Sequence, residues 1–459
     1  MFDTTIFTPW VLFTDLGIIF GLLLIGKFIR VKVKIIQKLF IPPSLIAGIL
    51  GLVFGPNGLD WLPLSTNTAI YPAILIAVVF GALPLASPKF TVKEVAKRVG
   101  PMWGYAQLGM LMQWAIMGLF GILVLKMIWP NLNSAFGVML PTGFYGGHGT
   151  AAAIGSAFEG LGWDEATSLG MTTATIGVIV AIVGGLFFVK NAARHKQTSY
   201  ISDFDNLPNE LRSGLLPKDK RESSGEITTS PISIDSFTFH LALVIIAAFG
   251  GYLISKGVKM WYPKLELPVF SCAFIVGLIM KKIFDKVKVS EYIDPKTTNT
   301  ISSCSTDLLV AFGVASIKLG VVVKYAVPLI VLLVVGIVVV YYIVFFFGKH
   351  LHRKDWFEKS IFAWGWWTGT MAMGIALLRI VDPKMQSKAM DDYALAYLPC
   401  APVEILLITF VPILFMNGMG LWLMLGCLVL SFLIIFLARK IGWWIPKAEV
   451  KARDNHEQI

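Results

Sequence analysis

Two apolar stretches of this chain are interrupted by short polar, glycine-rich runs, Gly143-Phe-Tyr-Gly-Gly-His-Gly-Thr150 and Gly365-Trp-Trp-Thr-Gly-Thr370. Each break frees backbone N–H and C=O groups inside an apolar segment. Hydrocarbon cannot bond to those groups, so a break at membrane depth has to be buried in protein or line a wet cavity. Paired breaks in corresponding halves of a chain point to the substrate site of a membrane carrier.

The rest of the sequence supports a membrane setting. Of 459 residues, 56% are hydrophobic and only 15% charged, where a soluble domain carries about 25% charge. The apolar runs are continuous rather than alternating, which argues for an all-α polytopic membrane protein and against a β-barrel. Full spans are expected at 9–29, 41–57, 67–86, 101–126, 166–190, 236–257, 267–284, 302–322, 325–348, 393–417 and 420–438. The N-terminus lacks a basic leader and a small-residue cleavage site, so the first run reads as a retained span. The four cysteines fall in or beside apolar segments with no CxxC pair and read as packing residues.

Segments 132–160 and 357–380, which contain the breaks, are assigned as re-entrant hairpins; a single discontinuous span in each place is the alternative. Basic residues favour the hairpins. With the N-terminus outside and both hairpins re-entrant, 33 of the 39 Lys and Arg fall on the cytoplasmic side. Counting both as spans moves the cluster at 190–221, or those at 27–38 and 89–98, to the outer face, against the positive-inside rule. The net charge of +11 thus reads as topology, not as nucleic-acid binding.

The same assignment divides the chain into two inverted repeats of five spans plus a re-entrant hairpin each, 1–190 and 236–417. A cytoplasmic linker at 191–235 joins them, and an extra C-terminal span with a cytoplasmic tail occupies 418–459. Short internal echoes agree. Pro42 stands nine residues before Gly51-Leu52, and Pro268 nine before Gly277-Leu278. Phe80-Gly81 and Phe312-Gly313 then occupy the following spans.

The candidate site follows from the breaks. Gly146, Gly147, His148, Gly149 and Thr150 permit a sharp turn that leads into a helix, whose N-terminal dipole and free N–H groups favour an anion. Thr368, Gly369 and Thr370 offer the same from the other hairpin. Carbonyls near Gly146 and Gly369 are candidates to coordinate Na+, with Thr175, Thr368 and Thr370 adding hydroxyls. His148 is either a hydrogen-bond donor or proton carrier for the substrate, or a residue that ties the turn together. Arg379 is either a bidentate partner for a carboxylate or an inner-side anchor paired with Asp382. Glu404 is an intramembrane carboxylate, and balances a coupling cation, meets a substrate amine, or is a paired carboxylate of the helix bundle. Asp15 is similarly placed but near enough to the outer interface for solvation. Thr172, Thr173 and Thr175 either line the cavity or, as is commoner, back-bond to the preceding helical turn.

The residues Gly146-Gly-His-Gly-Thr150, followed by Ala174-Thr-Ile-Gly-Val178 and Gly184-Gly185, resemble the bacterial glutamate:sodium symporter family. Pro268 and Ile317-Lys318-Leu319 are similar to that family as well, and the likeness runs over roughly 10–440. At the second hairpin the chain departs: it has Trp366-Trp-Thr-Gly-Thr where the family carries a Gly-His-Cys-Gly-Phe-Gly type of stretch. The resemblance implies sodium-driven glutamate uptake across the inner membrane, with Na+ as coupling ion and no other cofactor. It also implies a homodimer working by an elevator-like movement. A carrier of another carboxylate coupled to sodium or protons, a membrane-embedded enzyme, a channel and a non-transporting sensor are the alternatives. The chain carries no His-x-x-Glu-His, no Gly-x-Ser-x-Gly and no nucleotide-binding loop.

Overall fold

A computed structural model describes residues 7–38, 41–86, 92–194, 197–198, 200, 213–261, 267–382 and 386–450. Fifteen principal helices build the described part. The first half supplies α1 (Pro9–Lys32), α2 (Pro43–Phe54), α3 (Tyr71–Ala86), α4 (Val92–Phe120), α5 (Met139–Gly143), α6 (Gly147–Gly160) and α7 (Ala166–Arg194). The second supplies α8 (Ser236–Trp261), α9 (Val269–Lys286), α10 (Pro295–Ala315), α11 (Ala326–Leu351), α12 (Trp356–Thr368), α13 (Met371–Val381) and α14 (Ala389–Met416), and α15 (Gly420–Ile441) follows.

Local sequence explains several helix starts. Thr8 caps α1, its hydroxyl accepting from Val11 N at 3.2 Å, with Pro9 in the first turn. Pro42 and Pro43 begin α2, and Asp294-Pro295 begins α10 in the same way. In α4 the backbone leaves helical geometry at Val99 (φ −128°, ψ 20°), just before Gly100-Pro101, where proline disrupts the helical ladder.

Eight helices among the described residues are long and apolar enough to cross a membrane. They are α1, α3, α4, α7, α8, α11, α14 and α15, and they make this a multi-pass membrane protein. The other three expected spans are helical but differ in kind. α2 has only 12 residues. α9 ends in a charged turn with Lys281, Lys282, Asp285 and Lys286. α10 starts at Pro295 and stops at Ala315, so the expected 302–322 is shifted towards its polar N-terminal side; Ser316-Ile-Lys318 separates it from a short helix at Leu319–Lys324. The linker expected at 191–235 lies partly outside the described residues; its described portion from Gly214 to Asp235 holds only a single helical turn, Lys218–Lys220.

The helices pack in two groups. In the first, α1 lies on α2 as α8 lies on α9; α2 lies on α10 as α9 lies on α3; α3 and α10 pack together. The echoed glycines sit at these contacts. A methyl group on Gly51 would stand 2.8 Å from Cβ of Ala315, and one on Gly277 would stand 2.8 Å from the Gly81 carbonyl oxygen. The second group gathers α4, α7, α11, α14 and α15 around the four short helices α5, α6, α12 and α13. It holds the largest apolar core, including Trp114, Trp364 and Trp367. Contacts of α6 with α3 and α10 join the groups. Beside that junction a cavity of about 150 Å³ is lined by Ala73, Ser156, Ser255 and Pro268 among others.

Two polar fastenings hold the first group. Asp15 is fully buried rather than solvated: its carboxyl accepts from Ser65 N (2.8 Å), Ser65 Oγ (2.6 Å) and Tyr71 Oη (2.8 Å), which ties α1 to the start of α3. Asp294 accepts from Thr297 N and Oγ1 at the head of α10 and from Glu226 N in the linker. The Asp294 N–H in turn donates to Nε2 of His240 on α8 (2.8 Å). Burial alone raises the Asp294 pKa, but the hydrogen bonds from Thr297, Glu226 and Lys296 outweigh it and hold the carboxyl at about 2.

Asp15→Ala is expected to lower stability by roughly 1–3 kcal/mol, because it strands three buried donors; thermal unfolding of the detergent-solubilised protein checks this. Asp294→Asn is expected to be less stable than wild type by about 1 kcal/mol at neutral pH. Since the folded pKa lies below the unfolded value of about 3.9, the carboxylate's contribution is present above pH ~4 and disappears as pH falls through about 2. The gap between the two melting curves should therefore narrow from pH 4 downwards; a gap independent of pH would contradict it.

Candidate functional site

The first break is the three-residue turn Phe144–Gly146 between α5 and α6. Phe144 N bonds back to Leu140 O (2.8 Å), and the N–H groups of Tyr145 and Gly146 both reach Pro141 O (3.1 Å each), closing α5. Gly147 then takes φ +65°, a conformation that costs glycine little and other residues more. α6 starts at Gly147. Gly147 to Thr150 thus form its first turn, and no side chain caps it. The N–H groups that a cap would have satisfied lie at the buried tip.

The second break is at Gly369 (φ −138°, ψ −96°), between α12 and α13. Thr370 is extended and caps α13, its hydroxyl accepting from Met373 N at 3.4 Å, and Thr370 N reaches back to Gly365 O (3.2 Å). The two arms fold against each other closely: a methyl group on Gly365 would stand 2.7 Å from Gly374 N.

The tips of the two hairpins meet. A methyl group placed on Gly147 would lie 3.3 Å from the Gly369 carbonyl oxygen, and one on Gly177 of α7 would lie 2.2 Å from the Thr368 carbonyl oxygen. The uncapped start of α6 therefore faces the carbonyls of the opposite break. α7 clamps both hairpins. Nε2 of His148 is 3.2 Å from Thr175 Oγ1, Thr173 Oγ1 donates to Met139 O (2.8 Å), and Trp364 Nε1 donates to Ala181 O (3.1 Å). Gly149 approaches Ile76 of α3, so the tip also touches the first helix group.

The remaining candidates take up varied positions. His148 is buried and bonded to Thr175, which suits the tying role. Thr150 is buried beneath Gly146. Thr368 spends its hydroxyl on Trp364 O (2.7 Å), leaving its carbonyl as the group presented to α7. Thr172 and Thr173 back-bond to the preceding turn as expected. Arg379 is half-buried near the far end of α13, nine residues from Thr370 and so roughly 13 Å along the helix. Its Nε finds no hydrogen-bond partner, and Asp382 accepts instead from Gln386 N and Ser387 N. Glu404 accepts from Tyr397 Oη at 2.5 Å on the same helix, α14.

Several residues beside the tips were not anticipated. Gln113 of α4 donates to Trp367 O (3.4 Å), while its own Oε1 is buried without a partner. The Trp367 Nε1 and the hydroxyls of Tyr145 and Tyr393 are likewise buried and unsatisfied. Such orphans each cost about 1–3 kcal/mol and are uncommon in a settled core. Gln113 carries the one signal visible in sequence, an amide inside an apolar span; the tyrosines and tryptophans are indistinguishable there from packing residues.

A family model for the sodium/glutamate symporter matches residues 12–371. The sodium/glutamate symporter of Escherichia coli (strain K12) is 23% identical over 321 residues, covering 68% of this chain and 74% of its own. The sodium/glutamate symporter of Shigella flexneri gives the same identity and coverage. With the match spanning both helix groups and the first hairpin, this chain belongs to the sodium/glutamate symporter family, as a divergent member, and is a transporter rather than an enzyme.

Proposed function

We propose that this protein is a sodium-coupled symporter importing glutamate or a similar anionic amino acid. The observation that carries the proposal is the meeting of the hairpin tips. The uncapped first turn of α6 and the capped start of α13 offer N–H groups and positive helix ends to a carboxylate. The carbonyls of Thr368 and Gly369, together with those near Gly146, offer oxygens to Na+. The names of the relatives, symporters of sodium and glutamate, support the same pair of solutes.

The two-group packing supports a mechanism. The hairpin-bearing group (α4 to α7, α11 to α15) slides as a body against α1 to α3 and α8 to α10, carrying the site past a fixed scaffold in an elevator-like movement. A homodimer joined through the scaffold would hold that scaffold still. The proposed setting is the inner membrane, N-terminus outside and C-terminus in the cytoplasm, where the positive-inside rule puts the basic loops. The departure of the second hairpin, Trp366-Trp-Thr in place of the family stretch, favours a second reading in which the same path carries another carboxylate.

Purified protein in proteoliposomes is expected to accumulate radiolabelled glutamate when an inward sodium gradient is imposed and to lose most of that uptake when potassium replaces sodium. Uptake indifferent to the cation would remove the coupling. Competition by a panel of amino and dicarboxylic acids decides between the two substrates. Gly147→Leu is expected to abolish uptake while the protein stays folded and monodisperse, since it forces a bulky side chain into φ +65° against the Gly369 carbonyl. Wild-type uptake by this variant would reject the tip as part of the site.

A further inference from the structure

Beside the tips, on the side away from α7, one face of α14 presents Tyr393, Tyr397 and Glu404. The spacing of four and then seven residues lays them in one stripe on a helix. Trp366 of α12 stands against this stripe. Its ring centroid is 3.8 Å from that of Tyr393, 5.4 Å from that of Tyr397 and 5.5 Å from that of Tyr145, which precedes the first tip. Tyr145 and Tyr393 are 3% and 2% exposed, and their hydroxyls approach each other without closing a hydrogen bond of acceptable geometry. The Glu404 carboxylate is within electrostatic range of both. The cluster thus holds one acid and two unsatisfied hydroxyls, walled by indole and phenol rings.

The geometry points to a site for the α-ammonium group of the amino-acid substrate, formed by Glu404, Tyr145, Tyr393 and the ring face of Trp366. An ammonium has three N–H donors, and here it finds three acceptors: a carboxylate oxygen and the two orphan hydroxyl oxygens. Its charge offsets that of Glu404, and aromatic rings attract an organic cation through their quadrupoles. Sodium suits the cluster less well, because most of the wall is aromatic carbon and not a shell of oxygens. The placement also fits one small molecule. Tyr145 stands two residues before Gly147, so its Cα lies within about 7 Å of the Cα that opens the first turn of α6. An amino acid can put its ammonium in the cage and a carboxylate at the tip. The inference rests on the proposed function, and it makes Glu404 and the two hydroxyls what separates an amino acid from a plain dicarboxylate.

The test compares glutamate with glutarate, which lacks the amine, as competitors of radiolabelled glutamate uptake in proteoliposomes, for the wild type and for Glu404→Gln and Tyr393→Phe. Wild type is expected to prefer glutamate strongly. Each variant is expected to weaken glutamate by about tenfold or more, equivalent to ~1.4 kcal/mol. Glutarate inhibition and the sodium concentration for half-maximal uptake should stay unchanged. Tyr393→Phe removes only a hydroxyl, which keeps the test open if Glu404→Gln fails to fold. A preference for glutamate that survives in folded variants overturns the cage alone. So does a shift in sodium dependence with the preference intact, since that makes Glu404 a sodium ligand. Wild-type protein that neither binds nor transports any amino acid of the panel overturns the proposed function and the cage with it.

Discussion

Backbone groups freed inside a membrane protein have to be buried in protein or line a wet cavity, and the two hairpins bring theirs together at the tips, against α7. Every turn at the tips is made where glycine or a short polar residue permits it, and the resulting N–H and C=O groups point into the protein. The Gly147 turn, the Gly369 carbonyl and the close passage of Gly177 past Thr368 form one packed unit. Substitution at any of these glycines inserts atoms where backbone already stands. The helices around the unit serve to keep it buried: α4 and α14 on one side, α7 on the other, with Trp364 and Trp367 filling the space between.

Charge is sparse in this region and its use is correspondingly specific. Asp15 and Asp294 are each enclosed by three or more donors and act as rivets in the first helix group. Around the tips, by contrast, the polar side chains are left incomplete. Gln113, Tyr145, Trp367 and Tyr393 all keep a buried donor or acceptor unused. The first helix group thus holds carboxylates with their donors in place, and the hairpin group holds buried polar atoms without partners at its tips.

Much of the architecture was legible before any coordinates. Apolar runs near 20 residues marked the crossing helices, because a lone helix in lipid has to be apolar along its whole length. The breaks were legible for the converse reason: Gly146-Gly-His-Gly149 has no place in a helix that merely spans. The helices read least well were α2, α9 and α10, which are short or polar at one end. Asp15 was misjudged for a related reason, since its partners Ser65 and Tyr71 lie 50 and 56 residues away and nothing local announces them.

The sequence by itself settled the solvent, the helical class, the places where helices break and the family, because each depends on composition or on residues adjacent in the chain. Tertiary structure alone decided which break faces which, that His148 is tied to Thr175, and that Tyr145, Trp366, Tyr393 and Glu404 gather at one point. The contacts of Gly147 with Gly369 and of Tyr145 with Trp366 join residues more than two hundred positions apart, brought together by packing two helical hairpins tip to tip, and no periodicity or spacing encodes a contact of that range.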